Sequence, residues 1–278
     1  MILGIPATEF FLLVAAMIVG GALAGLLAGV FGVGGGGVMV PVLYEVFRAM
    51  NVPEEVRMQL CVGTSLAIIL PTALRAFLMH RQKAPDLPLG ILRIWALPIV
   101  AGVALGSFMA LVAPGWVFKL TFVLVAGLLA LKLFLGGETW RLGNELPGKG
   151  LMSAYGIFIG LYSSLMGVGG GSVAVLVLTL YGETIHVAVA IATGVGILIA
   201  ISGSIGFIAA GLPYQDMMPP FTIGYVSLIG VLLMAPIASF VSPYGARLAH
   251  ALPKRKLELA LACFLSAISL RFLLSLVW

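Results

Sequence analysis

Residues 31–38 read Phe31-Gly-Val-Gly-Gly-Gly-Gly-Val38, and residues 166–173 read Met166-Gly-Val-Gly-Gly-Gly-Ser-Val173. Six of the eight positions are identical. Glycine inside a helix costs about 1 kcal/mol relative to alanine. Four in a row at 34–37 and three at 169–171 therefore predict a break in each of two helices. Each stretch separates a longer apolar run from a short one: 9–30 from 38–49, and 151–168 from 173–182. The duplication marks an internal repeat. Later matches keep the same order: Gly63-Thr64-Ser65 with Ala192-Thr193-Gly194, Ala113-Pro114 with Leu252-Pro253, and Leu131-Lys132-Leu133 with Leu270-Arg271-Phe272. The chain reads as two five-segment units, 1–137 and 150–278, joined by a polar cytoplasmic linker over 138–149.

Composition sets the environment. Of 278 residues, 62% are hydrophobic and 9% charged, against roughly 25% charged in an ordinary soluble domain. Mean hydropathy is +1.19. A soluble globule cannot hide that much apolar surface. A soluble enzyme, a disordered chain and a nucleic-acid module are excluded, as is a β-barrel with its short alternating strands. The expected class is an all-α polytopic membrane protein. Ten apolar runs are visible, and eight reach the roughly 20 residues that a span needs. Cys61 and Cys263 lie apart inside apolar runs and make neither a disulfide framework nor a zinc site. The start of the chain lacks a basic leader region, so the first run is read as a retained helix.

Charge gives the expected orientation. Counting ten segments, one side of the membrane holds Arg75, Arg81, Lys83, Arg93, Lys132, Arg141, Lys149, Arg247, Lys254, Arg255 and Lys256. The other holds Arg48, Arg57, Lys119 and Arg271. Lysine and arginine concentrate in cytoplasmic loops. The loops at 80–90, 137–150 and 242–256 are thus expected inside the cell and both termini outside it. A hairpin of the first two segments that dips in and returns has the same parity as two crossings. An odd number of segments per unit turns the second unit upside down. The fold expected is two inverted five-segment repeats with glycine-broken helices, a transporter architecture that binds its substrate near the bilayer midplane.

A helix broken at membrane depth must face protein or a water-filled cavity. Its freed N–H groups and the positive end of the next helix then form an anion cradle. The expected substrate-binding set is Gly34, Gly35, Gly36, Gly37, Gly169, Gly170, Gly171 and Ser172, with the following helices starting at Val38 and Val173. Thr64, Ser65 and Thr193 sit at matching depths and offer hydroxyls, although such side chains also bond back to their own helix. Ser163 and Ser164 precede the second motif. Arg75 is a cation inside an apolar run and a candidate by that fact, with anchoring at the membrane surface as the alternative. Gly21, Gly25 and Gly29 have the spacing of close helix packing. Gly32-Val-Gly34-Gly-Gly-Gly37 also fits a dinucleotide pattern, but no strand precedes it and its second copy fails at Ser172.

The paired GVGGGG and GVGGGS motifs, followed by Gly63-Thr64-Ser65 and Ala192-Thr193, make the chain resemble the sulfite exporter TauE/SafE (TSUP) family over nearly its whole length. The resemblance implies a transporter of sulfur-containing anions, such as sulfite, sulfonates or sulfoacetate-like compounds, in the bacterial inner membrane. From the residues alone the reading reaches a small anion. Of the ten acids only Glu45 falls inside an apolar run, so no acidic or histidine relay of a proton-coupled carrier is visible. An inside-negative potential drives anions outward, so export is the expected direction. An anion channel, or an importer coupled to sodium or protons, is the alternative. No H-E-x-x-H or G-x-S-x-G occurs, so no enzyme, catalytic residue, metal or cofactor is expected. The expected partners are the small anion and the lipid bilayer, with no nucleic acid; homo-oligomerisation is left open.

Overall fold

The computed structural model describes residues 7–31, 36–83, 87–135, 142–143, 145–251 and 254–277. Within them lie ten α-helices: α1 (Ala7–Phe31), α2 (Gly36–Ala49), α3 (Glu54–Lys83), α4 (Gly90–Val112), α5 (Gly115–Leu135), α6 (Lys149–Met166), α7 (Gly171–Leu180), α8 (Ile185–Gly211), α9 (Leu228–Ala251) and α10 (Lys254–Val277). The chain is an all-α polytopic membrane protein. Among the described residues, four stretches are long and apolar enough to cross a bilayer: Glu54–Gln82, Gly90–Val112, His186–Met217 and Leu228–Gly245. Shorter apolar stretches lie on α1, α5, α7 and α10.

Several boundaries differ from those expected. Helices α2 and α7 begin at Gly36 and Gly171, two residues before the valines. Glycine is tolerated there because the first turn of a helix has no internal acceptors to lose. In sequence, residues 219–241 read as one apolar run, but the helix begins only at Leu228 and then continues to Ala251. The first part of the run is a tight hairpin, β1 (Thr222–Ile223) against β2 (Val226–Ser227), with Thr222 opposite Ser227. Pro219 and Pro220 disfavour helix entry, and Gly224 makes the turn with φ of 54°.

Contacts between helix ends define two ends of the bundle. At the upper end, Gln59 Nε2 on α3 donates to Ala113 O after α4 at 3.3 Å. Tyr214 OH, just past α8, donates to Leu111 O on α4 at 3.2 Å. At the lower end, Trp95 Nε1 near the start of α4 donates to Met152 O near the start of α6 at 2.9 Å. There too Leu142 N–H reaches Leu180 O, the last residue of α7, at 2.9 Å. Arg255 Nη2 on α10 donates to Phe134 O on α5 at 2.6 Å. Helices α6 and α7 thus leave the lower end, break, and return to it, while α2 climbs from its glycines to the upper end.

Glycines seat the longest packing pairs, α1 on α9 and α6 on α4. A methyl group on Gly25 would lie 2.4 Å from Ala238 O, and one on Gly160 would lie 2.2 Å from Ile99 O. One on Gly245 would meet Leu26 O, and one on Gly106 would meet Ser164 Oγ and Leu161 O. Counted from the matched motifs, Gly25 answers to Gly160, Ala238 to Ile99, Gly245 to Gly106 and Leu26 to Leu161. The same interface is therefore built twice from corresponding positions. Helix α1 runs parallel to α9, downward, and α6 runs parallel to α4, upward. Backbones this close gain dispersion contacts that bulkier residues would prevent.

Candidate functional site

The second glycine stretch is a real break. Helix α6 closes on Gly167, which has φ of 67° and donates its N–H to Ser163 O. Val168 N–H donates to the same carbonyl at 3.1 Å. Gly170, also at φ of 67°, precedes α7. Both positions are left-handed, which glycine alone adopts without strain. No side chain caps α7, and the first backbone bond into it runs from Ala174 N–H to Gly170 O at 3.1 Å. The N–H groups of Gly171, Ser172 and Val173 therefore have no acceptor within their helix. Gly169, Gly170 and Gly171 are buried, and Ser172 is half-buried.

Neighbouring helices fix the shape of the break. Ser65 Oγ on α3 donates to Gly167 O at 2.8 Å. The atoms nearest Gly169 belong to Ile69 of α3 and Gly196 of α8. Those nearest Gly170 belong to Ile199 of α8 and to Ser163 and Ile159 of α6. Gly167 meets Val40 on α2 and the backbone of Val62. Ser163 Oγ is fully buried and has no hydrogen-bond partner. It lies 2.7 Å from where a methyl group on Gly170 would sit, so an orphan hydroxyl faces the turn whose amides are also free. A buried polar group left unpaired costs about 1–3 kcal/mol.

The other expected site residues are distributed as follows. Thr64 is buried, and its Oγ1 accepts from Ser227 N–H at 2.9 Å, pinning α3 to the hairpin before α9. Thr193 Oγ1 bonds back to Ala190 O at 2.7 Å, and Ser164 Oγ to Leu161 O at 2.8 Å. Arg75 is exposed and donates through Nη1 to Ser239 O on α9 at 2.8 Å. That carbonyl is available because Pro243, four residues on, has no N–H to give it. Of the first glycine stretch, Gly36 opens α2, and a methyl group on Gly37 would sit 3.8 Å from Leu265 of α10. Gly34 and Gly35 lie outside the described residues, as do residues 138–141 and 144 of the linker.

A second polar cluster occupies the upper end. Lys119 on α5 is buried, donates to Glu54 Oε1 at 2.5 Å and stands 5.3 Å from the Tyr44 ring centroid. Arg57 lies over the same ring at 5.3 Å and donates to Val52 O. Glu45, which the sequence left without a role, accepts from Arg271 Nη2 at 2.7 Å and from Arg48 Nη1 at 3.4 Å. An open cavity of about 330 Å³ beside them is lined by Glu54, Glu55, Gly115, Trp116, Lys119 and Ser275. The buried ammonium was not singled out from sequence, although Lys119 falls inside the apolar run 116–136, where any charge is a functional candidate. No group of three or more His, Cys, Asp or Glu able to hold a metal occurs among the described residues.

A sequence model described as Sulfite exporter TauE/SafE matches residues 17–272. The chain belongs to the sulfite exporter TauE/SafE family. A probable membrane transporter protein of Haemophilus influenzae is 33% identical over 255 residues, covering 91% of this chain and 96% of the relative. A second, from Methanocaldococcus jannaschii, is 25% identical over 266 residues, covering 96% and 97%. No solved structure matches the chain. This TauE/SafE protein is accordingly a multi-pass membrane transporter.

Proposed function

We propose that the protein moves a small sulfur-containing anion outward across the bacterial inner membrane, and that two inverted repeats cradle the anion between their broken helices. One observation carries the reading. At the α6–α7 break, the leading amides of α7 and the Ser163 hydroxyl are gathered within the bundle and lack acceptors. An anion supplies what those donors lack. Gly169, Gly170, Gly171 and Ser172 form this half of the cradle with Ser163. Gly34, Gly35, Gly36 and Gly37 are its counterpart in the first repeat. Thr64, Ser65 and Thr193 shape the walls. Arg75 braces α3 against α9 beside the path. Ile69, Ile159 and Ile199 close over the tip, so α3 or α8 must shift to admit substrate. The doubled glycine interface and the opposite directions of α1 and α6 support the inverted repeat. The sulfur in the substrate rests on family membership.

The lower end, with most of the lysines and arginines, is read as cytoplasmic. Each negative charge leaving through 100 mV, inside negative, gains about 2.3 kcal/mol, so export needs no coupling ion. Proteoliposome flux tests this. An imposed inside-positive potential draws labelled sulfite inward without any proton or sodium gradient. Flux that ignores the potential, or that needs either gradient, defeats the export reading.

A further inference from the structure

The donors around the α6–α7 break are all electrically neutral. They are backbone amides of α7 and the hydroxyl of Ser163, and the side chains closing on them are Val40, Ile69, Ile159 and Ile199. Among the described residues the one buried cation is Lys119, and it is bonded to Glu54 at the upper end. Arg75 is exposed and gives its guanidinium to α9. What positive charge the cradle has must come from helix ends. Helix α7 starts at the break and runs to the lower end; α2 starts at its own glycines, runs to the upper end, and touches Gly167 through Val40. The α7 N-terminus therefore lies inside the bundle at the break. A helix N-terminus is worth roughly +0.5 of an elementary charge, so it offsets at most part of one negative charge.

Solvation sharpens this match. The cost of taking an ion out of water grows with the square of its charge, so a dianion costs about four times as much to bury as a monoanion of equal size. A cradle holding a full cation could offset that difference; this one holds helix ends and hydroxyls. We propose that the α6–α7 cradle selects singly charged oxyanions over doubly charged ones, and that the Ser163 hydroxyl donates a hydrogen bond to the bound anion. The proposal rests on the anion reading above and adds charge selection and a named donor to it.

The test is ligand-dependent thermal unfolding of the purified full-length protein at fixed ionic strength, with methanesulfonate and sulfate as probes. Methanesulfonate is expected to half-saturate at a concentration at least about tenfold below that for sulfate. Ser163→Ala is expected to weaken methanesulfonate binding about five- to tenfold, while raising the melting temperature of the unliganded protein, because it removes a buried unpaired hydroxyl. A purely structural serine would not move these two readouts in opposite directions. Sulfate binding as tightly as methanesulfonate overturns the charge selection. Unchanged methanesulfonate affinity in Ser163→Ala overturns the assigned donor. If neither anion shifts the wild-type melting temperature at any concentration, the anion reading falls together with this inference.

Discussion

At the α6–α7 break the buried polar groups are amides and a hydroxyl, and no charged atom is among the nearest neighbours of Gly167, Gly169 or Gly170. At the upper end, Arg48, Arg57, Lys119 and Arg271 crowd around Tyr44, Glu45 and Glu54. The two regions solve different problems. Arg48, Lys119 and Arg271 have fixed partners of opposite sign, so these charges tie α2 to α10 and α5 to α3 whether or not substrate is present. The break has donors without fixed partners. A fixed cation there would hold an anion too tightly to release it, or would need a fixed acid that competes with the substrate. On the proposed reading, neutral donors bind only when a ligand arrives, which suits a site that must empty as readily as it fills.

The sharpest way to break this contrast is at Gly170. Its φ of 67° is strained for any other residue, and a side chain there runs into Ile199 and Ser163. Gly170→Leu is expected to cut sulfite flux in proteoliposomes by about a hundredfold, the scale of losing oriented donors to a charged ligand. The protein should still insert and remain monodisperse, because the bundle's main contacts are elsewhere, at the glycine seams of α1 with α9 and α4 with α6. Wild-type flux in this variant would reduce the break to a packing device.

The upper cluster yields the next effect, and its sign depends on which partner is removed. Lys119 is almost entirely buried, whereas the Glu54 side chain is 63% exposed. Glu54→Gln strands an ammonium away from water and is expected to cost about 2 kcal/mol of stability, below the usual toll for breaking a fully buried pair because water reaches one side. Lys119→Met leaves only a solvated carboxylate and fills the space with apolar atoms, and is expected to cost under about 1 kcal/mol. Thermal melts of the two variants in the same detergent give the order. The reverse order would mean that Lys119 holds its place through Tyr44 and not through Glu54.

Much of the fold was legible because glycine and hydropathy report directly on backbone constraints. The second glycine stretch announced the α6–α7 break; most of the first lies outside the described residues. Gly21 and Gly25 were readable as packing positions, and both lie against the α9 backbone. The hairpin at 222–227 was hidden, since Phe221, Ile223, Tyr225 and Val226 continue an apolar run while the turn rests on Gly224 alone. At the site, hydroxyl residues could be found by depth but not their partners. Thr64 and Ser65 are adjacent, yet one bonds the hairpin and the other the break, a difference set by which helix lies on each side. The pairing of Lys119 was not legible because its partner is 65 residues away, beyond any local spacing rule.

The smallest expected effect tests whether the upper charges take any part in transport. Arg271 and Glu45 are each about half exposed, at 45% and 49%. Exposed pairs contribute roughly 0–1 kcal/mol and weaken with salt. Arg271→Gln should lower stability by less than about 1 kcal/mol, and the loss should fade in ~1 M salt, where the screening length is near 3 Å. Flux should stay within about twofold of wild type, because a solvated pair of this strength adds little to any barrier that α2 or α10 must cross. A several-fold rise in flux would mean that the Glu45–Arg271 contact latches α2 to α10 and opens during the cycle. The upper end would then be a working gate, and the division between a neutral site and a static charged end would no longer hold.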